Sequence, residues 1–307
     1  MAIGDEKLIE ARLAGRPRSF AVAVAVRAVL RIIPLLGNAS SLQATSHRDA
    51  FGELVASAFR LAAISWNALT FPDHPPAVQA VTAAIKAIST AEQAFSQRGD
   101  LNAAAVAMVR TAQMVVGEAR GPFASQCGEV VDRVLSVAEI AAWGDVAFGN
   151  APADIRREVF NDLAMSASGE KVADFLHHWL WTEQDAEPQW ARSGFDSLAS
   201  ALPNDQNWEV WVDWYEERLA GLVGSASNEL AYASVPVAIW EDGPSSANKW
   251  VAERLSALDD RQPAHTFGAS EFASEEQVSK WLLRQTTEVA AIIAARAALR
   301  ALPLVAD

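Results

Sequence analysis

The chain has 307 residues, of which 51% are hydrophobic and 21% charged, and it carries a formal net charge of −13. That much apolar surface supports a packed core and excludes a chain kept disordered by charge and a lack of apolar residues. A single cysteine, Cys127, excludes an intrachain disulfide and a cysteine-rich zinc site, and it fits a cytosolic protein.

The charge is unevenly placed. Residues 1–150 hold 13 Lys/Arg and 13 Asp/Glu, whereas residues 151–307 hold 12 and 25. The acidic half repels phosphate backbones, so nucleic acid is not an expected partner. The first ten residues carry acids where a secretory leader would carry bases. The most apolar stretch, 20–36, is interrupted by Arg27 and Arg31 and closed by Pro34. A membrane span needs about 20 mostly uncharged residues, so this stretch reads as a buried helix and no membrane partner is expected. Arg27 and Arg31 are one turn apart and share a helix face. The helix is expected to be buried except along this basic strip, where the stems cover apolar surface while the heads reach carboxylates or helix-terminal carbonyls.

From Phe51 the series Leu54, Val55, Ala58, Leu61, Ala62, Ser65, Trp66 and Leu69 keeps one helix face apolar. Pro72, Pro75 and Pro76 then break the chain. Helices are expected over 77–95, 101–116 and 123–143, separated by Gly99-Asp100 and Gly121-Pro122. Their alanine-rich faces allow close approach, which predicts long antiparallel helices in a bundle. Beyond Asn150 the helices shorten and tryptophan appears, with nine of the eleven at or after Trp179. The expected helices are 152–164, 171–182, 188–201, 208–220, 244–258, 275–284 and 287–302, several with Pro near the first turn. Only 233–240 has β character, and Pro236 demotes it. The fold class is therefore all-α, a multi-helix bundle with an Ala-rich part over 1–150 and an acidic, Trp-rich part over 151–307. Segments 19–35 and 288–304 also match at eight of seventeen positions, including Arg27/Arg296, Arg31/Arg300 and Pro34/Pro303. They are expected to play equivalent structural roles.

Two constellations are candidate sites. Trp208, Trp211, Trp214, Tyr215 and Leu219 fall on one face of a helix, with Glu209, Asp213, Glu216 and Glu217 elsewhere around it. Such a face either pins the helix to a core, the preferred reading, or forms an aromatic wall for a ligand or partner. Asp174 and His178 lie four apart in 171–182, a spacing that suits one metal-ligand pair or a surface ion pair. A third ligand is missing, so neither a metal nor a cofactor is expected. His265 follows Arg261 across Pro263, which spoils a helical ribonuclease pattern, and no phosphate loop, dinucleotide fingerprint or nucleophile elbow occurs.

The segment Trp211-Val-Asp-Trp-Tyr-Glu-Glu-Arg-Leu-Ala-Gly221, followed by Trp240-Glu-Asp-Gly-Pro244 and Asn248, resembles a helical protein family of alphaproteobacteria, as does the Arg27/Arg31 helix with its Leu-Pro. The likeness covers about a quarter of the chain. That family has no assigned activity. The resemblance implies a bacterial cytosolic helical module and no mechanism. The expected function is a protein-interaction or scaffold module that binds a protein partner or itself. The alternative is an enzyme or small-ligand binder with a pocket lined by the Trp-rich helices, recognisable if Asp174, His178, Asp213 or Glu217 converge on one cavity.

Overall fold

The computed structural model describes residues 4–42, 48–73, 81–86, 88, 107, 111, 114, 123–165, 171–182 and 187–259. Every regular element among them is helical. The α-helices are α1 (Gly4–Leu13), α2 (Arg18–Ile32), α3 (Arg48–Thr70), α4 (Phe123–Gly144), α5 (Ala151–Met165), α6 (Val172–Leu176), α7 (Gln189–Ala201), α8 (Glu209–Leu219), α9 (Ala226–Ala233), α10 (Val237–Glu241) and α11 (Pro244–Asp259). Short 3-10 segments are η1 (Ile33–Leu42), η2 (Val146–Phe148) and η3 (Asn204–Gln206). Contacts group Met1–Leu258 into one compact unit and Asp259–Asp307 into another, and all that follows belongs to the first, save the last residue of α11. The helices expected over 275–284 and 287–302, the second copy of the repeat, and most of 77–95 and 101–116 lie outside the described residues; 81–86 is helical.

α2 organises this unit. Apart from the Arg27/Arg31 face its residues are apolar around the circumference, and such a helix is stable in water only when covered. Every residue from Phe20 to Ile32 is buried. α2 packs against α4 and α3, and also touches α5 and α6. Residues Arg18–Gly37 are long and apolar enough to cross a membrane by length and composition, yet all of 20–37 is buried within the protein. Pro34 has no N–H to continue the helix, and the chain tightens into η1. η1 packs closely against α7. A Cβ on Gly37 would fall 2.0 Å from the Gly194 carbonyl oxygen, and one on Gly194 would fall 2.6 Å from the Pro34 carbonyl oxygen. Any side chain at either position forces the elements apart.

α4 presents Cys127, Val130, Val131, Val134, Ala138 and Ala141 to the core at helical spacing. Burial pushes the Cys127 thiol up to about 12, so almost no thiolate forms at neutral pH. Cys127 should therefore resist iodoacetamide in the native protein and react fully once guanidinium unfolds it. Mass spectrometry before and after denaturation measures both states.

One local expectation differs from the structure. The helix expected over 171–182 ends at Leu176. The carbonyls of His178, Trp179 and Leu180 are turned onto Arg27 and Arg31 instead of propagating helix bonds. The 233–240 stretch forms no strand: α9 runs to Ala233 and α10 begins at Val237, after Pro236. α9 itself starts on Ser225, whose hydroxyl accepts from the Asn228 N–H.

Candidate functional site

The molecule holds charge in its interior in two arginine clusters. Arg27 and Arg31 are fully buried and share one carboxylate: Arg27 Nε donates to Asp162 Oδ1 at 3.0 Å and Arg31 Nη1 to Asp162 Oδ2 at 2.6 Å. Arg27 also donates to the carbonyls of His178 (2.9 Å) and Trp179 (2.6 Å), and Arg31 donates twice to that of Leu180. Burial lowers the Arg27 pKa against the opposing pull of Asp162. Nearby, Glu158 accepts from the Thr182 N–H at 3.0 Å and from its hydroxyl, fixing the end of the same irregular segment. The second cluster pairs Arg218 with Glu229 at 2.6 Å and Glu217 at 2.7 Å, and the guanidinium lies over Trp66 and Trp214. These groups are consumed by one another. They hold α2, α5, the 177–182 segment, α8 and α9 in place, with Arg218 Nε left without a partner and the Glu217 carboxylate partly exposed.

The α8 aromatics are likewise part of the core. Trp211, Trp214 and Tyr215 are fully buried and Trp208 nearly so. Trp211 stacks on Phe59 with centroids 5.6 Å apart, and its Nε1 donates to Asn248 Oδ1 at 2.7 Å. Tyr215 donates its hydroxyl to the Leu30 carbonyl at 3.1 Å, tying α8 to α2. None of the four presents a face to a partner. Asp174, Asp213 and Glu217 are exposed, and His178 is half-buried with its ring against Phe175. These residues meet in no common cavity among the described residues. Nor do three His, Cys, Asp or Glu come together there as a metal site.

The open feature of the surface lies elsewhere, where α4 ends. Gly144 stops that helix, Asp145 accepts from the Ala147 N–H at 2.8 Å and so caps η2, and α5 starts at Ala151. Opposite stands the first half of α7. Between them is a cleft of about 710 Å³, within the range of ligand sites. One wall is built by Asp145, Ala147, Phe148, Asn150 and Asp154, the other by Pro188, Gln189, Trp190, Ser193 and Ser197, with Gly37 and Gly194 behind. Asp154 is held twice, by Trp190 Nε1 at 2.9 Å and by Arg157 Nη1 at 2.9 Å. Trp190 stands edge-on to Trp181 and to Phe148, so its ring is a fixed wall. In the same stretch of chain as the lining residues Asp145 and Ala147, Trp143 is 86% exposed and Val146 is 93% exposed.

The sequence reading did not single out Trp143, Val146 or the cleft. In sequence Trp143 closes an apolar helical stripe, and only the position of the α4 end in space shows that its ring meets nothing. No family model, curated protein or solved structure matches this chain. The class that fold and site define is thus an all-α protein with a preformed, partly acidic surface cleft and exposed apolar side chains in the adjoining stretch of chain.

Proposed function

We propose that this chain is a helical protein-interaction module and that the cleft between η2 and α7, with Trp143 and Val146 in the adjoining stretch of chain, is where it binds. The observation that carries this reading is the exposure of those two side chains beside a preformed cleft. An indole left almost wholly in water has no role in folding, and tryptophan is among the residues that dominate interface energetics. The setting we propose is the bacterial cytosol, on the resemblance and the cysteine usage.

The occupant we propose is a segment of a partner protein that sets an apolar side chain beside a Lys or Arg. Apolar groups would cover Trp143 and Val146, and the cation would meet Asp145, the cleft carboxylate with no cation paired to it among the described residues. A second copy fits less well. An isologous contact brings a patch against itself, so Asp145 would approach its own mate in a chain already at −13.

The test is selection of a random-peptide library on the wild-type protein, followed by affinity measurement on Trp143→Ala. Recovered peptides should combine basic and apolar residues. They should bind Trp143→Ala roughly thirtyfold more weakly, the loss of about 2 kcal/mol typical of a hot spot. The melting temperature should hold, since the ring packs on nothing. Peptides that bind the variant as well as the wild type would sink the proposal. A wild-type dimer that Trp143→Asp dissociates would make the second copy the occupant. The volume of the cleft favours one other reading, a small polar ligand, which would bind regardless of Trp143 and Val146.

A further inference from the structure

Four arginines of the described residues are buried in the protein: Arg27, Arg31, Arg60 and Arg218. Three follow the rule that a buried cation needs a counter-charge and acceptors. Arg27 and Arg31 share Asp162 and collect carbonyls, and Arg218 is gripped by Glu229 and Glu217. Arg60 breaks it. It projects from the middle of α3, is 2% exposed, and neither its Nε nor its Nη2 has a hydrogen-bond partner. Among the described residues it forms no ion pair. Its sole recorded contact of that kind is with the Trp240 ring, 4.5 Å from the guanidinium carbon.

The guanidinium carbon lies over the indole ring. Stacking on an aromatic ring occupies the face of a guanidinium and leaves its in-plane N–H fork free, the edge that takes a carboxylate or phosphate. Trp240 Nε1 is also buried without an acceptor. Two neighbouring side chains thus hold unmet donors and supply no acceptor. Burial alone brings the Arg60 pKa down to about 9, with no carboxylate to restore it. It remains a cation at neutral pH, and no carboxylate among the described residues compensates it.

We propose that Arg60 and Trp240 form an anion site, taking a carboxylate or phosphate group on the Arg60 fork, with α10 as its cover. α10 is a five-residue helix between Pro236 and Gly243. Gly243 has φ +96, a conformation that glycine adopts without strain. Trp240 lies on α10 and packs on Trp211 of α8, so opening this short segment lifts the indole off Arg60, and closure on the anion restores both contacts. An anion then satisfies the orphaned donors and cancels the charge. Without one, the arginine weakens the fold that contains it, which is the usual signature of a residue kept for binding.

The test is thermal unfolding of the full chain in chloride buffer with millimolar inorganic phosphate or succinate added. Wild type is compared with Arg60→Met, which keeps the stem and removes the charge. In the absence of either anion, Arg60→Met should melt higher than wild type. Wild type should gain melting temperature with at least one anion and saturate, while Arg60→Met gains none of that increment. The comparison removes the general stabilisation that phosphate gives any protein. A response to phosphate alone assigns a phosphate ester, and one to succinate alone assigns a carboxylate. Trp240→Phe, which keeps the ring and removes the Nε1 donor, should shift half-saturation several-fold higher, and it serves if Arg60→Met does not fold. Anions that move wild type no more than these variants would overturn the proposal.

Discussion

Asp162→Ala should cost about 3–5 kcal/mol, enough to unfold much of the population of an ordinary domain. The size follows from what remains behind. Asp162 is the one carboxylate bonded to both Arg27 and Arg31, and all three side chains are fully buried. Removing it leaves two cations four residues apart in the core, facing each other with carbonyl dipoles as their only acceptors. Chemical denaturation should show the midpoint falling sharply at an unchanged m-value. The combined replacement Arg27→Met, Arg31→Met, Asp162→Leu should recover most of the loss, because hydrophobes of similar volume cost no desolvation. A triple variant as unstable as Asp162→Ala would show that the carbonyl bonds from the arginines to the 178–180 segment, not the charge balance, set the penalty.

Trp211→Ala should cost a further large amount, about 3–5 kcal/mol. The indole is fully buried between Phe59, Trp214, Tyr232 and Trp240, and its N–H holds Asn248, which in turn donates to the Gln206 carbonyl. Truncation opens a cavity and also strands the Asn248 carbonyl oxygen. Trp211→Phe separates the two effects, since it keeps most of the volume and loses only the hydrogen bond, about 1–3 kcal/mol. If Trp211→Ala melted like wild type, the aromatic face of α8 would not be the packing element its burial makes it.

The fold was legible where local chemistry decides it. Pro188 and Pro244 mark the starts of α7 and α11, Gly221 follows α8 with φ +65, and the 3.6-residue apolar stripes give α3 and α4. The Arg27/Arg31 pair was legible as a basic strip reaching for carboxylates and carbonyls, but the strip was expected to stay outside the core, and both side chains are fully buried. The partner of the pair was not legible: Asp162 lies 135 residues from Arg27, in a helix where it looks like any surface acid. The early end of α6 was hidden for the same reason, since distant arginines take the carbonyls that would have continued it. The cleft was illegible because its walls come from η1, the α4–α5 junction and α7, and no periodicity reports which faces of separate elements meet. Arg60 was invisible too. It lies off the apolar series of α3, and only the position of Trp240 reveals that it is buried.

The reading of this protein as a binding module rests on one surface being open while the aromatic helix is closed. Hydrogen–deuterium exchange of the wild-type protein, with and without a peptide selected on it, tests that most directly. Protection is expected at residues 143–150 and 189–197, on the two walls of the cleft, with exchange in 208–219 unchanged. Protection that appears instead along 208–219 would contradict the account and return recognition to the tryptophan face of α8.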